Sequence, residues 1–451
     1  MAHVVFFILW EAGHLLPTFQ IGRDLRLRGH RITYVTIPDL VDLPRARGFD
    51  TVPILTEAFP RGSHGRMLST QAQQRLWLAM EKAAREGDVV RQIEDLQPDI
   101  VLIDTIFLPT YAAYLRGKKV PLVLVSTSLP NERRAGLPPV TIHTLPDGSI
   151  SSRFAIEAAW TQILLWRWRV YLRRKQPMAL PSLKTDLPEL VLCSQAFDFP
   201  RAARSGRHYV GPSIETMRPA EEFPWHRLDA GARLIYCSFG TQAFRYDGIV
   251  ELLANVVAAI GDQPGEQLVV TADRAILDQL GTLAPNVIAV ERAPQIELLR
   301  RTTVAVIHGG LGTVKECILM GVPMIVVPRA FDQPGNAARV EFHSLGLRAL
   351  GPICPIVIRS LLDQLIRSPE IFANVRRMGD IFRREQSDAP GATVIESYIR
   401  PRKPAEVYAA CWQGSDGYRP GPAPASSQPA VPARSSCVAA GCETTPPRER
   451  L

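Results

Sequence analysis

Residues 302–346 read TTVAVIHGGLGTVKECILMGVPMIVVPRAFDQPGNAARVEFHSLG and gather side chains suited to holding an anionic, hydroxyl-rich ligand. A short β-branched run ends at His308, and Gly309, Gly310 and Gly312 follow. So many glycines suit a backbone that turns tightly or lets a ligand approach closely. A helix is expected from about Thr313 to Met320, stopped by Gly321, with a second strand over 323–327 and a helix from about Asn336. The free N–H groups and positive dipole end of a helix start suit a phosphate. Glu316, one turn in, can accept hydrogen bonds from ribose hydroxyls, and Asp332 and Gln333 can do so for a sugar.

Such side chains converge only if the strands run parallel. Both loops then lie at the carboxyl edge of one sheet, and His308, Thr313, Asp332 and Gln333 line one rim. The glycine turn alone is common; the ordered set His, Gly-Gly, Thr, Glu, Gly-Val-Pro and Asp-Gln is specific.

On these residues the chain resembles the UDP-glycosyltransferases, nucleotide-sugar transferases that glycosylate small molecules, and most of all bacterial members acting on macrolides, other polyketides and carotenoids. The match begins at Ala293-Pro294-Gln295. The resemblance implies that Gln295 meets the nucleotide base, His308 and Thr313 the diphosphate, Glu316 the ribose, and Asp332 and Gln333 the transferred sugar, with Gly310 and Gly312 also at the donor. Family members commonly carry a tryptophan, stacked on uracil, where this chain has Arg292. A guanidinium can also stack on a flat ring, so UDP- and dTDP-sugars both stay open as donors. The SFGT segment ending at Thr241 resembles the family too, where the residue after the glycine faces the donor phosphates.

The opening of the chain repeats the pattern. An apolar run over 4–10 leads to Glu11-Ala12-Gly13 and His14, then to a helix expected over 17–28. Read alone, His14 is a helix-start histidine. The segment GHLLPTFQIGRDLRLRGHRITYVT resembles the family's opening, where this histidine is the catalytic base. Asp104 ends the strand of PDIVLID; alone it is a helix cap, and by resemblance it holds His14. His30 is read as structural. No cofactor and no metal site is implied, and direct displacement by one base implies inversion. A sugar-nucleotide epimerase of the same fold and a non-catalytic sugar-nucleotide-binding protein are the alternatives.

The 451 residues carry a net charge of +8, with 46% hydrophobic and 21% charged residues, and a pI near 9.2. That is an ordinary globular composition, long enough for two large cores. The basic residues are scattered without a nucleic-acid-binding motif, so nucleic acid is not an expected partner; an anionic sugar nucleotide and a lipophilic acceptor are. The seven cysteines show no C-x-x-C spacing and imply a reducing compartment, hence a cytoplasmic protein. The helix expected over 154–175 mixes tryptophans with arginines and reads either as a wall of the acceptor site, as a weak membrane-surface face, or as a helix packed on its own domain.

The expected architecture is GT-B-like: two doubly wound parallel-sheet domains facing each other across a cleft. Residues 1–211 form the acceptor domain, 212–231 a linker, 232–385 the nucleotide-sugar domain, and 386–400 a terminal helix returning to the first domain. Residues 401–451, rich in Pro, Ala, Ser and Gly, are expected to be disordered.

Overall fold

The computed structural model describes residues 1–63, 70–108, 111, 115, 120–174, 186–349 and 351–399. The proposed tail therefore lies outside the described residues, as does Lys175 at the end of the tryptophan-rich helix.

Two all-parallel sheets organise the chain. The first has seven strands: β1 (His3–Phe7), β2 (Arg31–Thr36), β3 (Asp50–Pro53), β4 (Ile100–Asp104), β5 (Leu122–Ser126), β6 (Glu189–Val191) and β7 (Arg207–Tyr209), in the order β3-β2-β1-β4-β5-β6-β7. The second has six: β8 (Arg233–Ser238), β9 (Glu266–Thr271), β10 (Val287–Val290), β11 (Val304–Ile307), β12 (Met324–Val326) and β13 (Gly346–Arg348), in the order β10-β9-β8-β11-β12-β13. Each sheet reverses its winding once, between β1 and β4 and between β8 and β11. Ligands of open parallel sheets bind at such reversals, beyond the strand carboxyl ends.

Alternation along the strands separates two core layers in the first sheet. Val5, Phe7, Val101 and Ile103 pack toward helices Thr70–Glu86 and Asp88–Asp95. Val4, Phe6, Ile100 and Leu102 pack toward helix Phe19–Leu27. The terminal helix Pro390–Ile399 lays Ala392 and Ile395 into that second layer. Arg28 and His30 fix it there through Glu396, both at 2.9 Å, which gives His30 the structural place the sequence suggests. In the second sheet Ile235, Cys237, Val270 and Val306 pack under helices Ile249–Ile260 and Pro355–Ile366.

Expected helix starts shift by a few residues. The chain turns helical at Ala12–Leu15 and passes through a 3-10 turn before helix Phe19–Leu27, so His14 sits inside a one-turn helix and not ahead of one. The glycine-turn helix runs Leu311–Met320 and the next Gln333–Phe342, each beginning two or three residues early. Gly310 and Asp332 are the residues before those helices, and Pro334 stands in the first turn of the second, where its missing N–H costs nothing.

Side chains of the second half grip the first. Lys315, on the inward face of helix Leu311–Met320, donates to the carbonyls of Leu192 (2.6 Å) and Pro212 (2.7 Å) and is fully enclosed. Burial pushes its pKa down to about 8. Arg339, fully buried in helix Gln333–Phe342, pairs with Asp198 at 2.8 Å and stacks over Phe199. His343 bonds the Phe197 carbonyl at 3.0 Å. Gly335 donates its N–H to the Val140 carbonyl at 2.9 Å, and a Cβ at Gly335 would collide with the Val140 backbone.

Candidate active site

The carboxyl ends of β1 and β4 bring His14 and Asp104 together across 90 residues of sequence. His14 Nδ1 lies 2.8 Å from Asp104 Oδ2. Asp104 is completely buried, its Oδ1 accepting from the Ile106 N–H (3.0 Å) and its Oδ2 also from the Leu9 N–H (3.3 Å). A carboxylate held by backbone donors orients the ring: it accepts the Nδ1 hydrogen and leaves Nε2 as the basic nitrogen. Thr127 Oγ1, from the end of β5, stands 2.8 Å from the same Nδ1 and completes the clamp. Burial lowers the His14 pKa, but the charge and hydrogen bond of Asp104, with Glu11 and Asp332 adding to them, raise it overall. The side chain keeps 22% of its surface open, enough for a reacting group to reach it.

The second sheet supplies the facing wall. Gly240 follows β8 and His308 follows β11, side by side because β8 and β11 are neighbours in register. The His308 ring rests against two glycines: a Cβ at Gly240 would stand 2.7 Å from Cε1, and one at Gly310 would overlap Nε2. Gly240 also has a φ of +75°, so a side chain there would be strained twice. Burial pushes the His308 pKa down to about 4, against an opposing contribution from the Ser238 backbone. At neutral pH it is an uncharged imidazole, and positive potential must come from the helix start behind it. Around Gly312 the space is open, Thr313 is half-buried, and Thr241 is exposed on the loop after β8.

Asp332 and Gln333 begin the next helix. Asp332 Oδ2 accepts from Asn336 Nδ2 at 3.1 Å, and Asn336 also bonds the Gly309 carbonyl at 2.9 Å, which ties the two helix starts together. Burial raises the Asp332 carboxyl, and the charge of His14 acts on it in the opposite sense. The charges of His14 and Asp332 thus act weakly on each other. Gln333 is turned inward, its Oε1 accepting from Arg329 and Ala330 N–H and its Nε2 donating to Tyr246 Oη at 2.8 Å.

Farther along the same edge, Glu316 is buried between Gln295 Nε2 and Arg218, both in close contact. Tyr236 Oη donates to Gln295 Oε1 at 2.9 Å. Arg292 is exposed, and its charge reaches Glu221 of the segment joining the sheets. The structure therefore places the twelve candidate residues along the two winding reversals and the edge beside them. It adds Thr127, Arg218, Tyr236 and Asn336, which sequence reasoning missed. A signal existed for Thr127, since hydroxyls directly follow the apolar strand PLVLV; Arg218 lies in a segment without periodicity and offers none.

A family model, the C-terminal domain of erythromycin biosynthesis protein CIII-like proteins, matches residues 254–380. Demethyllactenocin mycarosyltransferase of Streptomyces fradiae is 27% identical over 419 residues, 89% of this chain and 87% of that protein. Zeaxanthin glucosyltransferase of Pantoea ananas is 27% identical over 357 residues, 74% of this chain and 82% of that protein. The chain is a glycosyltransferase, similar over most of its length to these two bacterial transferases. Solved structures give the glycosyltransferase its fold name, GT-B. The glycotransferase of kitacinnamycin superposes with a TM-score of 0.65 at 22% identity, covering 88% of this chain and 99% of that one. The spinosyn rhamnosyltransferase complexed with thymidine diphosphate superposes at 0.61 and 18% identity, covering 89% and 100%. Among its described residues the glycosyltransferase has no helix long and apolar enough to cross a membrane.

Proposed function

We propose that this glycosyltransferase moves a hexose from a UDP- or dTDP-sugar to a hydroxyl of a lipophilic small molecule, with inversion at the anomeric carbon. The observation that carries the reading is the His14–Asp104 pair at the first sheet's reversal, 2.8 Å apart with Asp104 fully buried. The half built on the first sheet holds the acceptor; the half built on the second holds the donor. The acceptor hydroxyl gives its proton to His14 Nε2 as its oxygen attacks the anomeric carbon, and Asp104 stabilises the imidazolium that forms. The bond to the diphosphate oxygen breaks in the same displacement. The departing charge is met by N–H groups at the start of helix Leu311–Met320 and by Thr313, with His308 as a neutral hydrogen-bonding partner. Glu316 and Gln295 serve the nucleoside, which has to loosen their present contacts with Arg218 and each other. The relatives' names are in keeping with this: one transfers mycarose, one glucose, and one structure holds thymidine diphosphate.

The test is an acceptor library incubated with UDP-glucose and with dTDP-sugars, read by mass shift, followed by NMR of the new anomeric centre. Inverted glycosides are expected. Retention of configuration would overturn the single-displacement mechanism, and conversion of the donor with no acceptor present would replace the transferase reading by epimerisation.

A further inference from the structure

Helix Ile150–Arg174 is 25 residues long, about 37 Å at the usual rise. One face is buried in its own domain through Ser152, Ile156, Ala159 and Trp160, whose Nε1 donates to the Leu137 carbonyl at 2.8 Å. The opposite face is apolar too. Phe154 (76% exposed), Leu165 (55%), Trp168 (57%) and Leu172 (67%), with Ile150 (88%), fall within one stripe about 60° wide at 3.6 residues per turn, interrupted between Phe154 and Leu165 by Thr161 inside it and Glu157 at its edge. From Thr161 onward no described residue of the helix is buried. A helix that is polar on its solvent side would need none of these exposed groups, and five large ones in line form a patch of the kind that marks a contact surface.

Charge narrows the choice of what that surface meets. The helix sequence holds five arginines against one carboxylate, Glu157. Arg153 and Arg169 are exposed beside the stripe, and Glu157 is already paired with Arg133 at 2.6 Å. A second copy of the chain packed stripe to stripe would oppose arginine to arginine with no free carboxylate between them. An anionic lipid surface complements both features at once, taking large apolar side chains at the acyl boundary and arginines at the headgroups.

We infer that helix Ile150–Arg174 docks the protein on anionic bilayers, lying in the interface with the stripe of Phe154, Leu165 and Leu172 inserted. Combined with the proposed function, this makes the acceptor a compound that partitions into the bilayer. The helix is tied by Trp160 to the loop over 127–149, whose Val140 carbonyl meets Gly335 beside Asp332 and Gln333.

The binding test needs neither donor nor acceptor, so its outcome stands apart from that of the transferase assay. The full chain is cosedimented with vesicles of equimolar phosphatidylglycerol and phosphatidylcholine, and with vesicles of phosphatidylcholine alone. Binding to the anionic vesicles is expected, at least about tenfold stronger than to the neutral ones and weakened by salt. Leu165→Glu/Leu172→Glu, and separately Arg169→Glu, should each lower partitioning at least about tenfold while thermal unfolding of the variants stays unchanged. Equal binding to both vesicle types, binding that survives the substitutions, or a wild-type dimer in sedimentation velocity that the substitutions dissociate would each overturn the inference.

Discussion

Replacing Asp104 by Asn tests the proposed base through its partner. In the wild type, one charge-assisted hydrogen bond of 2.8 Å links the carboxylate to His14, and such bonds contribute about 1.5–3 kcal/mol. If that stabilisation is felt fully by the imidazolium in the transition state, its loss lowers kcat by about 10- to 100-fold. The pH profile gives a second, independent reading. The base works only when neutral, so activity rises as pH climbs through the His14 pKa. In the wild type Asp104 holds that pKa above the ordinary value of about 6.5 against the effect of burial. Asparagine removes the two largest raising contributions and leaves burial opposed only by Glu11 and Asp332, so the acid limb of kcat should move to lower pH. His14→Ala should cost more, about 10²–10⁴-fold in kcat, the usual span for general-base catalysis, and the double variant should be little worse than His14→Ala. The assay is initial rate at saturating donor and acceptor across the pH range, with UDP affinity measured by calorimetry to show that the donor site is unchanged. A His14→Ala enzyme that keeps most of its kcat, or an Asp104→Asn limb that moves upward, would refute the reasoning.

Arg339→Met removes one of the two buried guanidiniums that hold Asp198, leaving Arg201 at 2.8 Å, and should destabilise the fold by about 1.5–3 kcal/mol; urea unfolding monitored by tryptophan fluorescence measures it. Glu385 accepts from Ser194 Oγ at 2.9 Å, and burial raises its pKa to about 7. Because the folded-state pKa lies above the unfolded value, the folded state binds the proton more tightly. Its contribution is fully favourable below about pH 4.5 and is lost as pH rises toward 7, by at most about 3 kcal/mol. Glu385→Gln should flatten the stability-versus-pH curve in that window, seen in thermal melts. Arg292→Trp should raise the ratio of UDP to dTDP affinity in calorimetry; an unchanged ratio would remove this residue from the base site.

Much of the architecture is legible in the sequence because buried parallel strands are near-continuous apolar runs. VVFF, IVLI, LVLV and VAVI announce themselves, and glycines, charged groups or hydroxyls mark where each run meets its loop. Helix Ile249–Ile260 carries its own signal: Ile249, Leu252, Leu253, Val256 and Ile260 recur at helical spacing on the buried face, with Glu251 on the exposed one. The rims carrying His14, Asp104, His308 and Asp332 follow from the strand ends. The contacts that orient them do not, since they join residues far apart in sequence: Thr127 to His14 over 113 positions, Arg218 to Glu316 over 98, and Lys315 to Leu192 over 123. Two buried charges at the seam left a trace. A lysine between Val314 and Cys317 in an apolar helix, and an arginine between Ala338 and Val340, are charges on faces that should be buried. Each asks for a partner that the sequence alone cannot name.

The grip of Lys315 on the first half bears on how freely such halves can be exchanged between enzymes. Its two acceptors are main-chain carbonyls, at Leu192 and Pro212. Any foreign acceptor half that follows the same backbone path offers the same two oxygens, whatever its side chains. The contact of His343 with the Phe197 carbonyl is equally indifferent to sequence. Asp198 is different, because Arg339 needs a carboxylate there and is stranded without one. A hybrid enzyme that joins this donor half to another acceptor half is therefore constrained at side-chain contacts such as Asp198 with Arg339 and Ser194 with Glu385 more than along the main-chain part of the seam. Supplying an aspartate opposite Arg339 is the first substitution such a hybrid would need.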